Sequence, residues 1–256
     1  MCELFGYTGN KRKLNNELGE FFSHSDENPD GWGIASFDDR EPYIEKSTGS
    51  AKESHRINEL LGCDVISGML LAHIRRATIG YDEYLNAHPF CGNDDSGRMW
   101  TLIHNGTIFD ADALNPFLYT QKGTTDSERV FLYLIKKIND SMDKKGRDLT
   151  PEERFGVIDL TVRELSPHNK LNLMIYDSDR LYVHCNCRDT LYMREDGDGI
   201  AFSTKPLEKT GWKRHPFTTL VSYKDGEAAM TGESHDIEYI PDEKSIRALY
   251  LAYAGL

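Results

Sequence analysis

The 256 residues carry a net charge of −12, from 42 acidic and 30 basic side chains. That balance argues against a nucleic-acid binder built on a basic patch. The short Lys144-Lys145-Gly146-Arg147 stretch reads as a solvated loop. Apolar residues make up 39% of the chain, and no run approaches the roughly 18–20 needed for a membrane span. No basic segment followed by an apolar one opens the chain, so no secretory signal is read. The five cysteines (2, 63, 91, 185 and 187) have no framework spacing and point to reduced thiols in a cytoplasm. The length favours one domain spanning 2–256.

In chain order, residues 2–8 alternate as a strand and 14–23 form a short helix. The turn cluster Asn28-Pro29-Asp30-Gly31-Trp32-Gly33 leads into a hairpin over 32–46. Residues 51–61 carry helical spacing through Ile57, Leu60 and Leu61. The apolar runs 65–74 and 99–104 predict central strands covered on both faces, each ending in polar residues. One or two helical turns cover 111–119, and longer helices 126–140 and 151–165 follow. The remainder is β-rich, with strands over 171–177, 181–185, 190–194, 200–204, 217–223, 227–231 and 236–240, and a short helix over 244–253. Strands, then helices, then strands favour an α+β sandwich of layers over alternating βαβ units.

Cys2 is the first candidate for chemistry. Removal of the initiator Met would leave a thiol and a free α-amino group on one residue, with the amine as base for the nucleophile. A small residue at position 2 is the plainer reading. Arg75 and Arg76 end an apolar strand, where neighbours point to opposite faces. One of them should be covered, and a covered guanidinium needs an anion, either a structural acid or a ligand carboxylate. His88, in Asn86-Ala87-His88-Pro89-Phe90, reads more readily as structural than as catalytic. In His104-Asn105-Gly106-Thr107, the glycine N–H and the asparagine amide can converge as an oxyanion hole, or form a common Asn-Gly turn. Thr125 and Glu128 fit a capping box, which leaves Asp126 available to a ligand ammonium. His184, Cys185 and Cys187 lack a second pair at ligand spacing, so no metal is expected. No Walker or Rossmann glycine loop is present and no cofactor is expected.

Cys2, Asp30-Gly31-Trp32-Gly33, His73-Ile74-Arg75-Arg76-Ala77-Thr78, Asn86-Ala87-His88-Pro89, His104-Asn105-Gly106 and Thr125-Asp126-Ser127-Glu128 stand in this order along the chain. Together they resemble the class II glutamine amidotransferase domain, an N-terminal-nucleophile hydrolase. This chain has Ile79 where the family motif often carries His. Ser203-Thr204-Lys205-Pro206-Leu207 with Trp212 resembles the stand-alone members, related to γ-glutamyl hydrolases of ergothioneine synthesis and glutathione breakdown. The resemblance implies a four-layer αββα sandwich of two antiparallel sheets. It implies Cys2 as nucleophile with its own α-amino group as base, and Arg75 on the substrate α-carboxylate. Asp126 would hold the α-ammonium, Asn105 and Gly106 the oxyanion, and Thr78 and His88 would line the pocket.

A γ-glutamyl amide offers a carboxylate, an ammonium and a scissile carbonyl, and these residues supply the complements. The expected activity is glutaminase or amidotransferase-type hydrolysis of a γ-glutamyl amide through a Cys2 thioester. With no acceptor domain in 256 residues, a separate synthase or acceptor protein is one partner to expect. The alternatives are a γ-glutamyl hydrolase acting on a larger compound and a non-catalytic binding module.

Overall fold

The computed structural model describes residues 2–38, 42–78 and 80–242. Strands β1 (Glu3–Lys13), β2 (Trp32–Ser36), β3 (Tyr43–Ser47) and β4 (Ile66–Ile74) surround helices α1 (Asn15–Ser23) and α2 (His55–Gly62) in sequence. After β5 (Phe90–Asn93) and β6 (Met99–Thr107) come the long helices α3 (Asp126–Lys145) and α4 (Pro151–Leu165). The second β-rich run holds β7 (Lys170–Tyr176), β8 (Leu181–His184), β9 (Tyr192–Glu195), β10 (Gly199–Ser203), β11 (Lys213–Arg214), β12 (Val221–Lys224) and β13 (Glu227–Thr231). They form two sheets, ordered β11-β9-β10-β1-β4-β2-β3 and β13-β12-β8-β7-β6-β5. The pairings are antiparallel throughout.

Side-chain parity separates the layers. In β4, Leu70, Ala72 and Ile74 pack with Leu18, Phe21 and Phe22 of α1 and Ile57 of α2. Met69 and Leu71, on the opposite face, meet Ile103 of β6 and Met174 of β7 from the other sheet. The outer face of that second sheet, with Leu102, Leu173 and Ile175, packs against Val130, Leu134 and Ile138 of α3 and Ile158 and Val162 of α4. Alternation along each strand therefore produces helices, sheet, sheet, helices: an α+β, four-layer αββα sandwich. Both sheets are buried on two faces, which is why β4 and β6 are apolar almost without interruption.

The helices start where their caps allow. Thr150 accepts from the Glu153 N–H and the Glu153 carboxylate accepts from Thr150, a reciprocal box at the head of α4. The box expected at Thr125 and Glu128 is made only in half. Thr125 Oγ1 accepts from Glu128 N at 3.3 Å, but the Glu128 carboxylate turns to the N–H groups of Lys122 and Gly123, at 2.8 and 2.7 Å. The loop before α3 folds back and presents those donors to it.

Several boundaries differ from the sequence reading. β1 runs on to Lys13 through a register shift between Thr8 and Arg12, which breaks the alternation a strand is recognised by. The short strands β5 and β11 carry too little pattern to be read. Residues 236–240 form no strand: Asp236 has φ 55°, and Tyr239 donates to the Asn186 carbonyl at 2.7 Å. The helix expected over 244–253, and residues Met1 and Ile79, lie outside the described residues. No helix among those described is long and apolar enough to cross a membrane.

Candidate active site

Parity also gathers the polar residues. Cys2 stands just before β1, two residues ahead of Leu4, Arg75 stands just after β4, an even number of steps from Leu71 and His73, and Asn105 lies two beyond Ile103 on β6. All three continue the rows that face between the sheets. Across the sheets His73 Nε2 lies 3.3 Å from the His104 carbonyl, and Asn105 reaches Thr204 next to Leu4, so these strand ends share one end of the sandwich.

Cys2 is half-buried, and its sulfur lies against the main chain of Arg76. Arg76 N donates to Sγ at 3.3 Å and the thiol reaches the Arg76 carbonyl at 3.3 Å. Burial pushes the Cys2 thiol above its ordinary range, while the Arg76 N–H and the nearby charges of Arg75 and Lys170 pull it down. A resting thiol of that kind needs a base to react near neutral pH.

Of the adjacent arginines, Arg75 is the covered one and Arg76 is exposed. The Arg75 guanidinium donates to Asp82 Oδ1 at 2.9 Å and to the Gly80 carbonyl at 3.1 Å. The Asp30-Gly31-Trp32-Gly33 turn braces the chain around it. Arg75 N donates to the Gly31 carbonyl, Asp30 N to the Arg75 carbonyl, and Ala77 N to Asp30 Oδ2, at 2.7, 3.0 and 2.7 Å. Gly33, in β2, cannot carry a side chain, because a Cβ there would fall 1.9 Å from the His88 carbonyl oxygen.

Asn105 and Gly106 are strand residues of β6, paired with Asn172 and Leu171, and do not form a hairpin turn. Asn105 Oδ1 accepts from Lys170 Nζ at 3.0 Å, and Asn105 Nδ2 donates to Thr204 Oγ1 at 3.4 Å. Thr204 Oγ1 also accepts from Leu4 N at 2.9 Å, which ties the amide to the Cys2 strand. His104 links this strand to α3. Its Nε2 donates to the Lys170 carbonyl at 3.2 Å, and its Nδ1 accepts from Ser127 Oγ at 3.0 Å. Burial holds His104 below the usual histidine range, so both ring nitrogens are used in the neutral form. Asp126, the first residue of α3, is buried. Its Oδ2 accepts from Ile108 N at 2.7 Å and its Oδ1 from Ser127 N at 2.9 Å, with Ser127 Oγ 3.5 Å from Oδ1, which leaves acceptor capacity for a further donor.

The fold thus gathers Cys2, Arg75, Asn105, Gly106 and Asp126 through a connected set of main-chain and side-chain bonds. Thr78 lies half-buried on the loop after Arg75. His88 sits a layer behind. It is only 4% exposed, stacked on His73 with ring centroids 4.0 Å apart and edge-on to Phe90. Burial drives both histidines well below their ordinary range, His73 to about 3.

The model of the class II glutamine amidotransferases matches residues 1–197 of this chain. The chain belongs to that family. Among this amidotransferase's relatives is an uncharacterized protein of Methanocaldococcus jannaschii, 28% identical over 262 residues, covering 89% of this chain and 70% of that protein. The gamma-glutamyl-hercynylcysteine sulfoxide hydrolase of Mycolicibacterium smegmatis is 26% identical over 213 residues, 80% of this chain and 82% of its own. Among solved structures, a glutamine phosphoribosylpyrophosphate amidotransferase from B. subtilis superposes with a TM-score of 0.66 at 18% identity. That match covers 92% of this amidotransferase and 50% of the solved chain. The likeness in structure is one of fold.

Lys170 and Glu3 escape a motif reading of the candidate site, and the bond that Thr204 makes could not be read from its motif. Lys170 is 4% exposed and bonded to Asn105. Thr204 bridges β1 and β6. Glu3, beside Cys2, is buried against His24 Nδ1 at 2.9 Å and Lys205 Nζ at 2.8 Å, anchoring the strand end that carries the thiol. A signal for Lys170 existed. It shares its face with Asn172 and with Met174, which packs between the sheets, so alternation alone puts a lysine in the interior gap.

Proposed function

We propose that this amidotransferase hydrolyses a γ-glutamyl amide through a thioester on Cys2, releasing ammonia or an amine. What carries the reading is the position of the Cys2 sulfur, 3.3 Å from Arg76 N, at the strand end next to buried Arg75 and one bridging threonine from the Asn105 amide. Arg75 would hold the substrate α-carboxylate by a forked pair, and Asp126 the α-ammonium with its remaining lone pairs. The Cys2 thiol would pass its proton to the α-amino group freed by removal of Met1, and its sulfur would bond to the γ-carbonyl carbon. The carbonyl electron pair moves to oxygen, where the Asn105 amide and the Gly106 N–H meet it. Collapse of that intermediate breaks the C–N bond, and the departing amine takes the proton. Water then attacks the thioester, releasing glutamate and restoring the thiol.

A second reading keeps the same steps on a γ-glutamyl compound larger than glutamine, and is favoured by the likeness to the Mycolicibacterium hydrolase over most of both chains. Release of glutamate from glutamine, set against release from a panel of γ-glutamyl amides, separates the two. Strict preference for glutamine that rises with an added partner protein supports transfer of ammonia to a separate synthase. Incubation with diazo-oxo-norleucine followed by peptide mass spectrometry tests the nucleophile: label elsewhere than Cys2 would sink the mechanism.

A further inference from the structure

We infer that Lys170 is a positioning residue for this reaction, orienting the Asn105 amide and bringing a cation to the group that Thr204 ties to the Cys2 strand. The inference rests on the reading above, in which Asn105 meets the oxyanion. Lys170 opens β7, on the face between the sheets, and is buried to 4% exposure. Enclosing an ammonium there is costly, so it must serve groups that gain from it.

Its Nζ lies 3.0 Å from Asn105 Oδ1. An ammonium only donates, so the amide oxygen is obliged to face Lys170 and the NH₂ group to face away. One N–H then reaches Thr204 Oγ1 at 3.4 Å, and the other is left for an incoming oxygen. The same contact polarises the amide, because a donor at the oxygen strengthens the N–H groups at the other end. Thr204 Oγ1 also accepts from Leu4 N, two residues after Cys2, so the lysine, the amide and the strand that carries the thiol form one linked group. Burial lowers Lys170 from its ordinary range, and the Cys187 and Cys2 sulfurs oppose that shift. In its charged form Lys170 favours both the thiolate and the oxyanion, the two negative species of the cycle.

The test uses full-length protein with Lys170→Met, which removes donor and charge, and Lys170→Gln, which keeps a donor for Asn105 without the charge. Two quantities are read: kcat and KM on a γ-glutamyl amide, and the pH profile of Cys2 alkylation by iodoacetamide, followed on the Cys2 peptide by mass spectrometry. Lys170→Met should lower kcat roughly 10²-fold, the scale of one lost oxyanion contact, with KM little changed. Lys170→Gln should recover part of that loss, and both variants should move alkylation to higher pH. A folded Lys170→Met protein with wild-type kcat and an unmoved alkylation profile overturns the inference. Should that variant not fold, Lys170→Gln decides by the same two readouts. If the wild-type protein hydrolyses no γ-glutamyl amide, the proposed function fails instead. The alkylation profile then still decides whether Lys170 acts on Cys2.

Discussion

Asp82 Oδ1 stands 2.9 Å from Arg75 Nη1, an ion pair between an acid that is 59% exposed and a guanidinium that is 4% exposed. The fork assigned to the substrate carboxylate is thus already engaged by a carboxylate of the protein's own loop. Substrate has to replace a partner that is itself well solvated. Asp82→Asn should therefore lower KM for a γ-glutamyl amide, by up to about fivefold on the scale of exposed ion pairs, and leave kcat unchanged. Steady-state kinetics of the variant decide it, and an unaltered KM means that Asp82 does not compete.

Arg75→Ala should raise KM by about 10²-fold, the scale of losing a charge-assisted pair, with a smaller effect on kcat. Arg75→Lys should recover little of it, because an ammonium lacks the planar fork. A KM that stays at the wild-type value would mean that exposed Arg76 or another group holds the carboxylate.

Cys2→Ala and Cys2→Ser should abolish hydrolysis while leaving the melting temperature close to that of the parent, since the contacts of the sulfur are weak hydrogen bonds to the main chain of Arg76. Hydrolysis retained in Cys2→Ala would place the nucleophile elsewhere.

Gly106→Ala probes a close approach of two strands in the site. A Cβ at that position would lie 2.0 Å from the Lys170 carbonyl oxygen and 2.2 Å from His104 Nε2. Relief requires β6 to shift against β7. The expected outcome is a loss of about 1–3 kcal/mol in denaturant unfolding, and a larger fall in kcat than that loss explains at temperatures where the variant is folded. Wild-type stability would show that the strand pair yields without strain.

The anchor beside Cys2 has a pH signature. His24 is raised by its hydrogen bond to Glu3, so its contribution is full below the unfolded histidine value and fades as pH rises through the folded one. Burial works against the Glu3 carboxylate, but hydrogen bonds from His24 and Lys205 hold it below its ordinary value. Its contribution is full above the unfolded carboxylate value and fades as pH falls through the folded one. The two overlap between about pH 4.5 and 6.5, from the unperturbed values of the two groups. Glu3→Gln should cost about 2 kcal/mol in that window and less on either side, measured as the difference in unfolding free energy across pH. A difference that is flat with pH would mean that the loss comes from packing.

Much of the fold was legible because it follows from alternation and helical spacing. β4 and β6 announced themselves as apolar runs, and α3 and α4 by their stripes and caps. β5, β11 and the course of residues 236–240 were not legible, since short edge strands and irregular straps are set by their neighbours and carry almost no pattern of their own. Arg75 and Arg76 show the same division. Strand parity required one of the two to be covered, but only the packed structure decided that it is Arg75 and that Asp82 meets it.

By itself the sequence determined a layered α+β arrangement and the positions of Cys2, Arg75, Asn105, Gly106 and Asp126 in ordered motifs, whose resemblance to the family implied the αββα order. These depend on residue type and spacing, which are local. The tertiary structure decided which further groups meet those residues. Lys170 reaches Asn105 across 65 residues of chain, and Thr204 joins Leu4 across 200. His88 lies behind His73 because Gly33 leaves room for its backbone. Such contacts come from the register of strands distant in sequence, which the side chains of any one strand do not encode.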